Sequence, residues 1–145
     1  MNKENILEID NLERSYSTVM PDGETKVYSV LRGISFQVKR GEFIGIMGSS
    51  GCGKTTLLKT IGMLNKPNGG RVLYNGEDTT EIYGDHLAEI RRTQLAFVFQ
   101  DFYLMDSLSI EENIMLPMLI GKKKIQGIRK LVSEYAEQFQ ISRLL

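Results

Sequence analysis

Hydrophobic and polar residues change their spacing several times along this chain, and each change marks an element. Residues 6–9, ILEI, and 26–38, KVYSVLRGISFQV, are rich in Val, Ile and aromatic side chains and read as strands. Between them MPDGETK carries Pro-Asp-Gly, a turn sequence, so the two form a hairpin at the front of the domain. GEFIGIMG follows, with Phe43, Ile44, Ile46 and Met47 in a short apolar run bounded by glycines, the pattern of a strand buried on both faces. Beyond it the period lengthens. Leu57, Leu58, Ile61 and Leu64 recur at helical spacing until NKPNGG, with Pro67 and paired glycines, stops the helix. RVLYNGED reads as a strand entering a tight hairpin at Asn75-Gly76, HLAEIRR as a short helix, and LAFVFQ, 95–100, as a second compact apolar strand. SLSIEENIMLPMLIGKKK and IQGIRKLVSEYAEQFQ then read as helices. The second presents Ile125, Ile128, Val132, Tyr135 and Phe139 on one face, and GKKKIQG reads as a solvated basic turn.

Composition narrows the picture. A chain of 145 residues is long enough for one domain with a real core. Its 18 Lys and Arg balance 18 Asp and Glu, so it lacks the basic excess with which a domain holds nucleic acid by its phosphates. The start, MNKENILEID, is acidic rather than apolar, and the longest apolar run, around Pro117, is far too short to span a bilayer. The single cysteine, Cys52, rules out an internal disulfide framework. These features point to a cytoplasmic location. The single histidine, His86, lies in the charged stretch YGDHLAEIRR and has no chemical role in this reading.

One motif carries chemistry. Gly48, Gly53, Lys54 and Thr55 satisfy G-x-x-x-x-G-K-[ST] within GSSGCGKTT, with a strand pattern before it and a helix pattern after. The glycines let the backbone curl so that its N–H groups face phosphate oxygens, and the positive end of the following helix favours the anion. Ser49, Ser50 and Gly51 keep the loop small. Lys54 reaches the β and γ phosphates as a mobile charge, and the Thr55 hydroxyl joins the shell of Mg²⁺, with Thr56 beside it. The pattern implies ATP or another nucleoside triphosphate with Mg²⁺, but says nothing of what the energy does. Cys52 lies inside the loop, so an adduct on its sulfur is expected to block the phosphates, and MgATP to slow the adduct's formation.

Taken together, GEFIGIMGSSGCGKTTLLKTI, NGGRVLYNGED and RRTQLAFVFQDFYLMDSLSIEENI resemble the ATP-binding subunits of ABC transporters, from about Ile6 to the last residue. The Pro-Asp-Gly hairpin, IRR before FVFQ, and ENIMLP are most similar to the subgroup serving macrolide export, lipoprotein release and antimicrobial-peptide resistance. The resemblance implies an α/β fold of P-loop NTPase type. Its parts are an N-terminal antiparallel β subdomain with the P-loop core, about 1–100, and the start of a helical subdomain, about 101–145. It also implies that Tyr16, in LERSY, stacks on adenine. Gln100 matches the family's Q-loop glutamine, offering its oxygen to Mg²⁺ and its NH₂ to the attacking water. Phe102, Tyr103, Leu104 and Met105 are placed at a groove that receives a coupling helix of a membrane-spanning subunit. A second ATP-binding subunit and a seat on the inner face of the membrane follow from the same resemblance.

The family completes its active site with a signature loop of L-S-G-G-Q type, an acidic strand end, a following glutamate and a switch histidine. None of these patterns occurs in the sequence, and its histidine precedes Gln100. The chain therefore reads as the N-terminal part of a longer domain, incomplete, binding MgATP weakly, hydrolysing it near background and only marginally stable by itself. Two alternatives stand beside the transport ATPase: a non-catalytic module that binds nucleotide or a partner, and a P-loop kinase of small metabolites. The kinase fits poorly because a strand-rich segment containing Tyr16 precedes the loop. DNA-repair relatives of the ABC ATPases fit poorly too, since no coiled-coil heptads intervene before Gln100.

Overall fold

The computed structural model describes residues 4–121 and 125–145, and the chain divides into two compact units, 1–91 and 92–145. The basic turn expected at Lys122–Lys124 lies outside the described residues.

The first unit is built on one long hairpin. β1, Asn5–Val19, pairs antiparallel with β2, Thr25–Lys39, in a register that sets Tyr16 opposite Tyr28 and Val19 opposite Thr25. The Pro-Asp-Gly turn joins them: the Glu24 N–H donates to Asp22 Oδ1 at 3.0 Å, and the Gly23 N–H to the Met20 carbonyl at 2.9 Å. β1 runs well beyond the segment 6–9 legible in the sequence, whereas β2 matches the expected 26–38 to within one residue at each end. The other edge of β1 takes β3, Gly69–Tyr74, which turns through Asn75 and Gly76, both at positive φ, into the short β4, Glu77–Asp78. The sheet order is β2-β1-β3-β4. Helix α1, Lys54–Ile61, sets Leu57 into a core of Ile9, Leu12, Leu31 and Val72. Helix α2, Gly84–Thr93, buries Ile90.

The register of the hairpin slips between Arg14 and Ser15, where Leu31 and Ser29 are the successive partners and Val30 is the extra residue. Such a bulge breaks the alternation of the bulged strand and re-aims a side chain. Here it is Val30 that comes to bear on the loop before α1, as described below.

In the second unit, α3, Ile110–Ile120, opens with a capping box between Ser109 and Glu112. It packs on α4, Ile125–Gln138, through Met115, Ile128 and Val132. The face expected on α4 is corrected at its ends. Ile128 and Val132 are buried, joined by Ala136, whereas Ile125, Tyr135 and Phe139 are exposed. An eleven-residue partner helix covers only the middle of the stripe, and hydrophobic periodicity does not report how long the partner is.

Two expected strands are absent. Residues 41–48 and 95–100 form no strand, Phe43 is 97% and Met47 94% exposed, and Val98 is fully exposed. Only Ile46 of the first stretch packs against the core. A central parallel strand takes its backbone partners from neighbouring strands on both sides. Among the described residues, every paired strand belongs to the antiparallel sheet, and none pairs with these stretches.

Candidate functional site

The loop from Gly48 to Gly53 is held from below and closed by its own lysine. Gly53 is the N-cap of α1 with φ 103°, a left-handed conformation that a Cβ would strain. A Cβ there would also meet Val30 Cγ1 at 2.9 Å, so the bulged residue of β2 supports the point where loop becomes helix. At the other end, a Cβ on Gly48 would meet Cys52 Sγ at 2.6 Å, which shows how tightly the loop curls. The Cys52 N–H closes a turn onto the Ser49 carbonyl at 3.3 Å.

Lys54, the first residue of α1, folds back over the loop. Its Nζ donates to the carbonyls of Gly48 at 2.9 Å and Ser49 at 2.7 Å, and stands 3.8 Å from Cys52 Sγ. The ammonium thus lies against the loop's own carbonyls, beside the N-terminal turn of α1. Ser49, Ser50, Gly51, Cys52 and Thr55 are exposed, so the loop is open to solvent, and Thr56 is half-buried. An open backbone loop carrying a cation at a helix N-terminus is chemically suited to a polyphosphate. Among the described residues there is no group of three or more His, Cys, Asp or Glu that would bind a metal unaided. A divalent cation here would therefore need oxygens that a bound phosphate brings with it.

Tyr16 belongs to the same unit and lies beside the first turns of α1. Burial raises the pKa of its phenol. Hydrogen bonds from Thr56 and Arg14, with the positive charge of Arg14 and Lys59, outweigh that and leave it below the ordinary tyrosine value. The Asn65 amide donates to the Tyr16 hydroxyl at 3.2 Å, and the Arg14 guanidinium lies 4.7 Å from the ring centroid. Arg14, Asn65 and Val30 were not singled out in the sequence. The i, i+2 spacing of Arg14 and Tyr16 on one strand is the signal that could have found the first of them.

Gln100 and Phe102–Met105 belong to the second unit. Gln100 is exposed, as are Phe102, Tyr103, Leu104 and Met105. Tyr103 has φ 49°, and its ring packs edge-on against Phe99 with centroids 4.8 Å apart. Asn113, also not singled out, shapes this loop. Its Oδ1 accepts from the Met105 N–H at 2.8 Å, and its Nδ2 donates to the carbonyls of Met105, Leu108 and Ser109. His86 lies 3.6 Å from Glu77 on the surface of the first unit, and among the described residues it belongs to no cluster of ligating groups.

Three comparisons bear on these features. The family described as ABC transporter matches residues 31–145. The lipoprotein-releasing system ATP-binding protein LolD 1 of Rhodopseudomonas palustris is 39% identical over 139 residues, covering 95% of this chain and 60% of the relative. The bacitracin export ATP-binding protein BceA of Halalkalibacterium halodurans is 41% identical over 117 residues, covering 81% of this chain and 44% of that protein. Among solved structures, the ATP-binding cassette MJ0796, a dimer in a post-hydrolysis state bound to ADP and Pi, superposes with a TM-score of 0.78 at 35% identity. That match covers 88% of this chain and 54% of the cassette. The chain spans about half the length of the curated relatives it matches.

Proposed function

Because this chain belongs to the ABC transporter family, we propose that it is the MgATP-binding part of an ATPase that powers export or removal of a substrate such as an antimicrobial peptide. In this reading the backbone of Gly48–Gly53 and the Lys54 ammonium hold the phosphates. Thr55 and Gln100 contact Mg²⁺, Thr56 lines the phosphates, and Tyr16 stacks on adenine. The observation that carries it is the geometry of Lys54, whose Nζ is held over the open loop by the Gly48 and Ser49 carbonyls at the start of α1. When bound, the nucleotide supplies a phosphoryl group whose transfer to water releases the usable energy.

The chain's own groups act on one side of that reaction. Lys54 neutralises phosphate charge, the loop N–H groups orient the anion, and Gln100 orients water. Residues 1–145 contain no L-S-G-G-Q pattern and no apolar run ending in Asp-Glu, so hydrolysis by these residues alone stays near background.

The export role is supported by the name of BceA, and dimerisation through a second ATP-binding subunit by the dimeric MJ0796 cassette. Phe102–Met105, exposed and apolar, suit a membrane-spanning subunit, with the protein peripheral on the inner face of the membrane. Among the described residues no helix is long and apolar enough to cross a membrane. The apolar stretches at Phe43–Met47 and around Val98 suit the interior of a larger sheet in the full-length protein.

Lys54→Ala tests the core of this reading. Losing a charged hydrogen-bond donor to phosphate is expected to weaken MgATP binding by the full-length protein about tenfold or more, measured by calorimetry. Unchanged affinity would contradict it.

A further inference from the structure

We propose that Arg14 is a positioning residue for nucleotide binding: it holds the Tyr16 ring from one side and leaves the other side to receive the base. The inference rests on the nucleotide reading above and adds to it a residue outside the phosphate loop.

Arg14 and Tyr16 stand two apart on β1 and so share a face of the sheet. The guanidinium is 4.7 Å from the ring centroid, within the range of a cation–π contact. It is not a loose surface cation. Nη1 donates to the Lys66 carbonyl at 2.8 Å and to Asn68 Oδ1 at 3.4 Å, in the loop that follows α1. That loop is itself tied to β1. The Ser15 N–H donates to Asn68 Oδ1 at 2.8 Å, and the Asn68 N–H to the Glu13 carbonyl at 2.8 Å. Arg14 Nε is buried with no hydrogen-bond partner, which places the guanidinium's plane by packing and by its outer nitrogen.

The ring is therefore held by Arg14 against one face and, at its hydroxyl, by Asn65 together with hydrogen bonds from Thr56 and Arg14. Tyr16 is still 37% exposed. A ring held by the cation and still exposed can take one flat partner. Holding the ring in place before binding lowers the ordering cost of that stack. A planar fork is needed to bind a carbonyl and cover a ring at once, and lysine does not have one.

The test compares ATP with inorganic tripolyphosphate, which has the phosphates but no base, on the full-length protein. Arg14→Ala is expected to weaken ATP about three- to tenfold, a fraction of a base–aromatic stack, while tripolyphosphate affinity stays within about twofold. Arg14→Lys, which keeps the charge without the fork, is expected to restore less than half of the loss on a logarithmic scale. Equal weakening of both probes would show a merely structural role and overturn the proposal, as would full rescue by lysine. Unmodified protein that binds ATP, with Arg14→Ala binding it equally well, would overturn this inference alone. Unmodified protein that binds neither probe would overturn the nucleotide reading and this inference with it.

Discussion

The front sheet and the stretches around Phe43 and Val98 have similar apolar content and opposite fates. In the sheet, β1 finds β2 across a five-residue turn and β3 on its other edge, and Leu12, Leu31 and Val72 are almost wholly buried. Residues 41–48 and 95–100 are as rich in Ile, Val and Phe, yet they pair with nothing described and leave Phe43, Met47 and Val98 in solvent. Apolar side chains are thus not enough to make a strand. The backbone needs partners, and an antiparallel hairpin brings its own within a few residues, whereas a parallel strand waits for segments far away in sequence.

Substitutions on the two sides put that contrast to the test. Leu12→Ala is expected to cost ~2–5 kcal/mol in denaturant unfolding, because it opens a cavity in a packed core. Phe43→Ala is expected to change the stability of this chain by about 0.5 kcal/mol or less, as for other exposed positions. Its cost should approach that of Leu12→Ala only in the full-length protein, where the proposed larger sheet covers it. Equal costs for both residues in this chain would erase the distinction. A smaller effect concerns the sheet's outer end. Arg14→Ala removes a hydrogen bond and a positive charge that favour the Tyr16 phenolate, so Tyr16 should ionise at higher pH than in the unmodified protein. Tyrosinate absorbance, with Tyr16→Phe as the blank, reads that shift.

Much of this was legible in the sequence where short-range chemistry decides. Pro21-Asp22-Gly23 and Asn75-Gly76 marked their turns, and Gly48 to Thr55 marked the loop and the start of α1. What escaped depends on contacts distant in sequence. The bulge that presses Val30 on Gly53 requires the register of the hairpin, and the clamp of Arg14 on Tyr16 requires the loop at Lys66–Asn68 to return to β1. Asn113 looked like an ordinary helix residue, yet its side chain spans the Met105–Ser109 loop. The two unformed strands were misjudged for the converse reason: an apolar pattern was read as a buried strand, but no pattern in a strand shows that its neighbours are at hand.

If the phosphates sit in the loop at Gly48–Thr55, Cys52, inside that loop and exposed, reports their arrival. The measurement is the rate at which iodoacetamide alkylates Cys52 in the full-length protein, followed on the Cys52 peptide by mass spectrometry, with and without saturating MgATP. MgATP is expected to slow alkylation, and the alkylated protein to bind nucleotide no longer. Equal rates with and without MgATP would contradict a phosphate site in this loop.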